Sequence, residues 1–172
     1  MGLKRTNERA SKKIGTTSSF YFLGGDSFKM TVVTKHLTVN TKEENDVIDV
    51  TDRVERLIEE TGLGSGVATL FVAGSTVAIT TIEYEPGLCA DFPAMLQRVA
   101  PSSVEYEHEK RWHDGNGRSH VKASLVGPSL SVPFVNRKLT LGTWQQIVLV
   151  ELDTRARKRE IVVQIMGEAL TP

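Results

Sequence analysis

The chain has 172 residues, of which 40% are apolar and 24% charged, with 21 basic against 21 acidic side chains. That length suits about one domain and can bury a core without covalent staples, and the single cysteine, Cys89, admits no intrachain disulfide. Zero net charge argues against a nucleic-acid binder, and no apolar run approaches the ~20 residues of a membrane-spanning helix.

The charge is unevenly placed. Residues 1–29 carry Lys4, Arg5, Arg9, Lys12, Lys13 and Lys29 against Glu8 and Asp26, a net of +4 that leaves −4 for the remainder. This polar stretch reads as a basic, mobile extension before one domain over 30–172. Its apolar cluster, Phe20–Leu23, is too short for a secretory signal. With the lone thiol, that points to the cytoplasm.

Met30 to Val39 alternates apolar and polar residues as a strand does. Val47–Val50 is a second, short strand. Thr51 or Asp52 is placed to cap a helix carrying Val54, Leu57 and Ile58, with Gly62 as its terminating glycine. Residues 67–73 and 76–83 read as strands around a bend at Gly74. A helix is expected over 91–100, with Pro93 in its first turn, Leu96 and Val99 facing the core, and Pro101 as its stop. Residues 102–120 read as a polar loop. Strands are expected at 121–126, 130–135, 139–141, 145–152 and 160–167. The last two are apolar on both sides, as strands covered on both faces are. A sandwich, a closed pseudo-barrel or a subunit interface would supply that cover.

The densest polar segment is 105–130, with His108, His113 and His120 among Arg111, Trp112, Asp114, Asn116, Arg118 and Ser119. With 120–126 as a strand, His120, Lys122 and Ser124 share one face over Val121, Ala123 and Leu125. Histidine moves protons near neutral pH, and lysine or arginine holds phosphate, so the set suits an anionic small molecule. A divalent metal on His108, His113 and His120, with Asp114 or Glu83 adding a carboxylate, is a second reading; the spacing matches no helical zinc pair. Surface histidines with no shared role are a third. Glu83 and Glu85, two apart on a strand, point the same way and suit acid–base work or a cation. Ser75 and Thr76 sit in a turn able to nest a small anion. Trp144 is either core or pocket wall, Cys89 an inert thiol, and His36 structural.

GSTVAITTIEYEPG (74–87), WHDGNGRSHVKASLVGPSL (112–130) and LGTWQQIVLVELDTRARKREIVVQIMGE (141–168) together resemble the YjbQ family over about Met30 to Glu168. Some of its members are called secondary thiamine-phosphate synthase enzymes. The resemblance implies an α+β fold, a predominantly antiparallel β sandwich or pseudo-barrel with two or three short helices, assembled as a homotrimer. It carries the family's prominent aspartate and histidine onto Asp114 and His120, with Asn116, Ser119, Lys122 and Ser124 in the same match. Many members have a histidine where this chain has Gly74, and an asparagine where it has Ile82.

The implied activity is weak thiamine-phosphate-synthase-type transfer, joining two phosphorylated heterocycles with loss of pyrophosphate. His120, Asp114 and Glu83 are then the catalytic candidates. Ser75, Thr76, Arg111, Asn116, Ser119, Lys122, Ser124 and Trp144 are the ligand-binding candidates, with Arg118 adding charge. The dedicated synthases use magnesium, and this chain has no aspartate-rich magnesium pair. The alternatives are a non-catalytic metal- or anion-binding trimer and a structural subunit.

Overall fold

The computed structural model describes residues 17–21 and 27–169. Nine strands and four helices follow in chain order: β1 (Thr17–Tyr21), β2 (Ser27–Asn40), β3 (Val47–Asp49), α1 (Thr51–Glu59), β4 (Leu63–Val72), β5 (Val77–Ile82), α2 (Pro86–Val99), α3 (Glu107–Trp112), α4 (Gly117–Val126), β6 (Ser129–Val135), β7 (Lys138–Leu139), β8 (Gln146–Glu151) and β9 (Lys158–Ala169). The expected mobile extension lies largely outside the described residues; within them, β1 pairs antiparallel with the start of β2. No described helix is long and apolar enough to cross a membrane.

The architecture is α+β, with every strand pair antiparallel. A six-stranded sheet runs β1-β2-β9-β4-β6-β7, and a three-stranded sheet runs β3-β8-β5. The sheets stack without closing into a barrel. Leu70, Val72, Phe134, Ile161, Val163 and Ile165 of the large sheet meet Ile79, Ile147 and Leu149 of the small one, with Val54 and Ile58 of α1 in the same core. The other face of the small sheet, Ala78, Val148 and Val150, packs under Leu96 of α2 and Ala123 of α4. β8 is therefore apolar on both sides because it is the middle layer, between sheet and helices. β4 and β9 come closest at Gly66 and Gly167, where a Cβ on Gly66 would stand 2.1 Å from the Met166 carbonyl oxygen.

Several sequence expectations need correction. Neither Thr51 nor Asp52 caps α1. Val50 holds that position without a side-chain bond, and the Thr51 hydroxyl donates to Asp49 while accepting the Ile147 amide. α2 starts five residues earlier than expected, because Glu85 caps it by accepting the Gly87 and Leu88 amides with Pro86 at its first position. Pro93 thus falls inside the helix, and Val99 is exposed. The polar "loop" holds α3 and the start of α4. The largest correction is 121–126, which is helix: Ser119, Lys122 and Ala123 are buried and Val126 is half-buried, a three-to-four-residue period. Short alternating runs satisfy either period, and here Gly127 (φ 100°) and Pro128 end a helix rather than a strand.

Candidate functional site

A cavity of about 170 Å³ lies between the Gly74–Ser75 turn and α4, lined by Gly74, Ser75, Val77, His120, Ala123, Ser124 and Pro128. α4 packs across β5, which brings His120 and Ser124, one helical turn apart, over the turn that precedes β5. The Ser124 hydroxyl donates to the His120 carbonyl at 2.8 Å, so it offers the cavity an acceptor. Among the described residues, no carboxylate lines this space.

Behind His120 stands His108, the two rings 4.5 Å apart between centroids and tilted by 37°. His108 Nδ1 is 3.4 Å from Asp114 Oδ1 and 4.0 Å from Glu109 Oε1. Glu109 ties α3 to α4: its two oxygens accept the Gly115 amide at 2.6 Å and the Gly117 amide at 2.5 Å. The chain turns between the helices through His113 (φ 53°) and Gly115 (φ 70°). That left-handed residue ends α3, and His113 is left exposed on it.

The cations expected to hold phosphate are engaged elsewhere. Two residues apart on a helix is about 200°, so Lys122 points away from His120. It is fully buried, with Nζ 3.2 Å from Glu44 and 3.1 Å from Gln97. Arg118 grips Glu44 with two nitrogens, at 2.7 and 3.1 Å. Burial pushes the Glu44 carboxyl up, but the hydrogen bonds and charges of Arg118 and Lys122 outweigh it and hold it below the usual carboxylate range. Arg111 is exposed over the Trp112 ring.

Thr76 faces away from the cavity into a buried polar network. Its hydroxyl bonds Asp153 at 3.0 Å and receives Arg159 Nη2 at 2.9 Å, while Arg159 is clamped by Glu151 at 2.5 and 2.8 Å. Asn116 reaches Asp153 at 3.5 Å. Burial raises the Asp153 carboxyl, yet Arg157, Thr76 and Asn116 together bring it below its ordinary value. The Asn116 side-chain oxygen and the Ser119 hydroxyl are buried with no partner among the described residues. A Cβ on Gly74 would meet Val77 Cγ1 at 2.8 Å and Arg159 Nη1 at 3.0 Å, so a histidine there has no room while Arg159 holds this pose.

Of the remaining candidates, Glu83 lies just past the far end of β5, about 20 Å from Val77 at the strand's rise per residue. It does not converge with His120. Trp144, 69% exposed between β7 and β8, is neither core nor cavity wall. His36 sits 3.2 Å from Glu160 on the outer sheet face. Burial and the Glu85 charge raise the Cys89 thiol's pKa.

Sequence reasoning missed Glu44, Glu109, Glu151, Asp153 and Arg159. Glu151 carried a signal: a carboxylate closing the two-sided apolar run of β8 has to be buried, and a buried carboxylate needs a cation.

A profile of YjbQ-like UPF0047 proteins matches residues 35–168. The chain belongs to the YjbQ-like UPF0047 family. A UPF0047 protein of Methanothermobacter thermautotrophicus is 37% identical over 139 residues, covering 81% of this chain and 95% of the relative. Bacillus subtilis YugU is 36% identical over 135 residues, covering 77% and 98%. A YbjQ-like protein of unknown function from Sulfolobus solfataricus superposes with a TM-score of 0.76 at 35% identity, covering 81% of this YjbQ-like chain and 99% of the other. An Aeropyrum pernix hypothetical protein gives 0.72 at 31% identity, covering 78% and 98%.

Proposed function

We propose that this YjbQ-like protein binds a phosphorylated small molecule in the cavity beside His120 and moves a proton there, with weak thiamine-phosphate-synthase-type activity as the reaction. The carrying observation is the cavity wall: an imidazole, the Ser75 hydroxyl and turn backbone as donors, with no carboxylate among the described residues to repel an anion. His120 acts as acid or base. Asp114, which approaches His108 rather than His120, acts through the ring pair.

Size limits the ligand. An apolar cavity of about 150 Å³ holds one benzene, so about 170 Å³ takes one phosphate with part of its carrier. Two phosphorylated heterocycles need more space than this cavity offers, and a neighbouring copy in a homotrimer would complete the site. Cytoplasmic residence belongs to the same reading, consistent with the lone thiol.

Incubating the protein with the pyrimidine diphosphate and the thiazole phosphate, and following thiamine phosphate by mass spectrometry, tests turnover. Calorimetry with pyrophosphate in excess EDTA tests binding. Turnover is expected to fall about 100-fold or more in His120→Ala, the size of effect one acid–base group supplies, and pyrophosphate affinity to weaken with the loss of the imidazole donor. Both signals are expected to persist in Arg111→Ala. Binding without turnover would mark a non-catalytic anion-binding protein; no binding at all would remove the reading.

A further inference from the structure

We infer that the α3–α4 hairpin holds a divalent transition-metal ion between His108 Nδ1, Asp114 and Glu109. The three donor atoms all lie within 4.8 Å of one another. Tetrahedral ligands at about 2.0–2.1 Å from a metal stand about 3.3–3.4 Å apart. The 3.4 Å between His108 Nδ1 and Asp114 Oδ1 already has that spacing, and the 4.0 Å to Glu109 Oε1 closes with a small rotation of the His108 ring, whose Nδ1 no hydrogen bond holds among the described residues.

Two further observations favour a cation here, beyond the longer-range charge that Arg118 lends Glu109. His108 Nδ1 is buried and has no hydrogen-bond partner among the described residues, despite two carboxylates nearby. Neither carboxylate has a lysine or arginine within ion-pair distance among those residues: Lys110 pairs with Glu107, Arg118 with Glu44, and Arg111 lies over Trp112. Two close carboxylates facing one imidazole repel each other unless a positive charge sits between them. A metal ion held at the unpaired Nδ1 supplies that charge.

The carboxylates are also oriented in advance. Glu109 is fixed by the Gly115 and Gly117 amides, and Asp114 Oδ1 accepts the Asn116 amide at 3.2 Å. Such supporting bonds are how ligand carboxylates are aimed. One imidazole and two carboxylates with no thiolate suit Zn²⁺, Mn²⁺, Fe²⁺ or Co²⁺. Three protein ligands leave a position open, and Asp114 is exposed. The ligand set departs from the histidine trio suggested by the sequence: His113 is outside it, and His120 stacks on it.

This inference stands apart from the phosphate reading, which is measured in EDTA. The full chain, stripped with EDTA and dialysed, would be titrated with Co²⁺ by visible absorption and with Zn²⁺ by calorimetry. One equivalent should bind. His108→Ala and Asp114→Asn, checked for folding by circular dichroism, should weaken it by more than the ~10–100-fold that loss of a supporting partner costs. His36→Ala and His113→Ala should not. Should a variant fail to fold, Mn²⁺ broadening of wild-type amide signals decides, with residues 107–117 expected to vanish first. No saturable binding, unaltered affinity in both ligand variants, or broadening elsewhere would overturn the site.

Discussion

Glu44 joins a polar turn to the buried side of α4, accepting from Arg118 and from the fully buried Lys122. Losing the Glu44 charge leaves the buried Lys122 with the neutral Gln97 as its remaining partner, a loss bounded by the ~3–5 kcal/mol of breaking a fully buried pair. Glu44→Gln keeps the shape and one hydrogen-bond acceptor, so its urea midpoint at neutral pH should correspond to a loss near the lower end, about 3 kcal/mol. Its pH dependence has a defined sign. The folded-state pKa lies below the ordinary carboxylate value, so the stabilisation is complete above the unfolded value of about 4. It is lost as pH falls through the folded pKa. The wild type should therefore lose stability in acid more steeply than Glu44→Gln. Asp153→Asn should flatten the same limb, since Arg157, Thr76 and Asn116 lower that carboxyl too. Equal acid limbs in all three proteins would show that neither carboxylate is linked to folding.

The α3–α4 hairpin depends on contacts that composition does not display. His108 and His120 were visible as candidates, being dense in one polar segment, but their pairing requires both helices. The strand reading of 121–126 failed because six residues of alternating sequence fit two periods. What decides is the buried side of Ser119, Lys122 and Ala123, and hence the unseen partner Glu44. The helix over 91–100 was read five residues short for a related reason: without Glu85 as cap, nothing marks Pro86 as a helix start. Gly117 is the tightest point of the hairpin. An added Cβ would lie 2.6 Å from Tyr106 Cβ and 2.8 Å from Glu109 Oε1, whereas Gly115 has open space and only its positive φ to protect. Gly115→Ala should cost about 1–2 kcal/mol of backbone strain. Gly117→Ala should cost overpacking of about 1–3 kcal/mol and also dislodge Glu109 from the α4 amides. Hydrogen exchange at residues 117–120 should accelerate in Gly117→Ala and not in Gly115→Ala. Matching exchange rates would mean that Glu109 does not fasten the hairpin.

At the scale of the whole molecule, the layering was legible because β8 is apolar on both faces and a middle layer is one of the few places such a strand can go. The outer face of the large sheet was not legible, since its residues become neighbours only through strand register. Val32 pairs with Met166, Met166 with Val67, and Val67 with Pro133, which makes an apolar row across four strands. Phe71 and Met166 are each 46% exposed on that face. Exposed apolar surface organised in this way suits contact with another chain, and a second copy is the partner that the proposed shared site requires. Light scattering on a sizing column should then give the wild type three times the 19.0 kDa chain mass. Met166→Glu places a charge on an exposed strand position, where folding costs are small, and should shift the mass toward one chain while leaving the unfolding midpoint of the isolated protomer nearly unchanged. A wild type that elutes as a monomer would end the shared-site proposal. A trimer that survives Met166→Glu would move the contact to another face, with Val121 and Leu125, exposed on α4 beside the cavity, as the next apolar pair to charge.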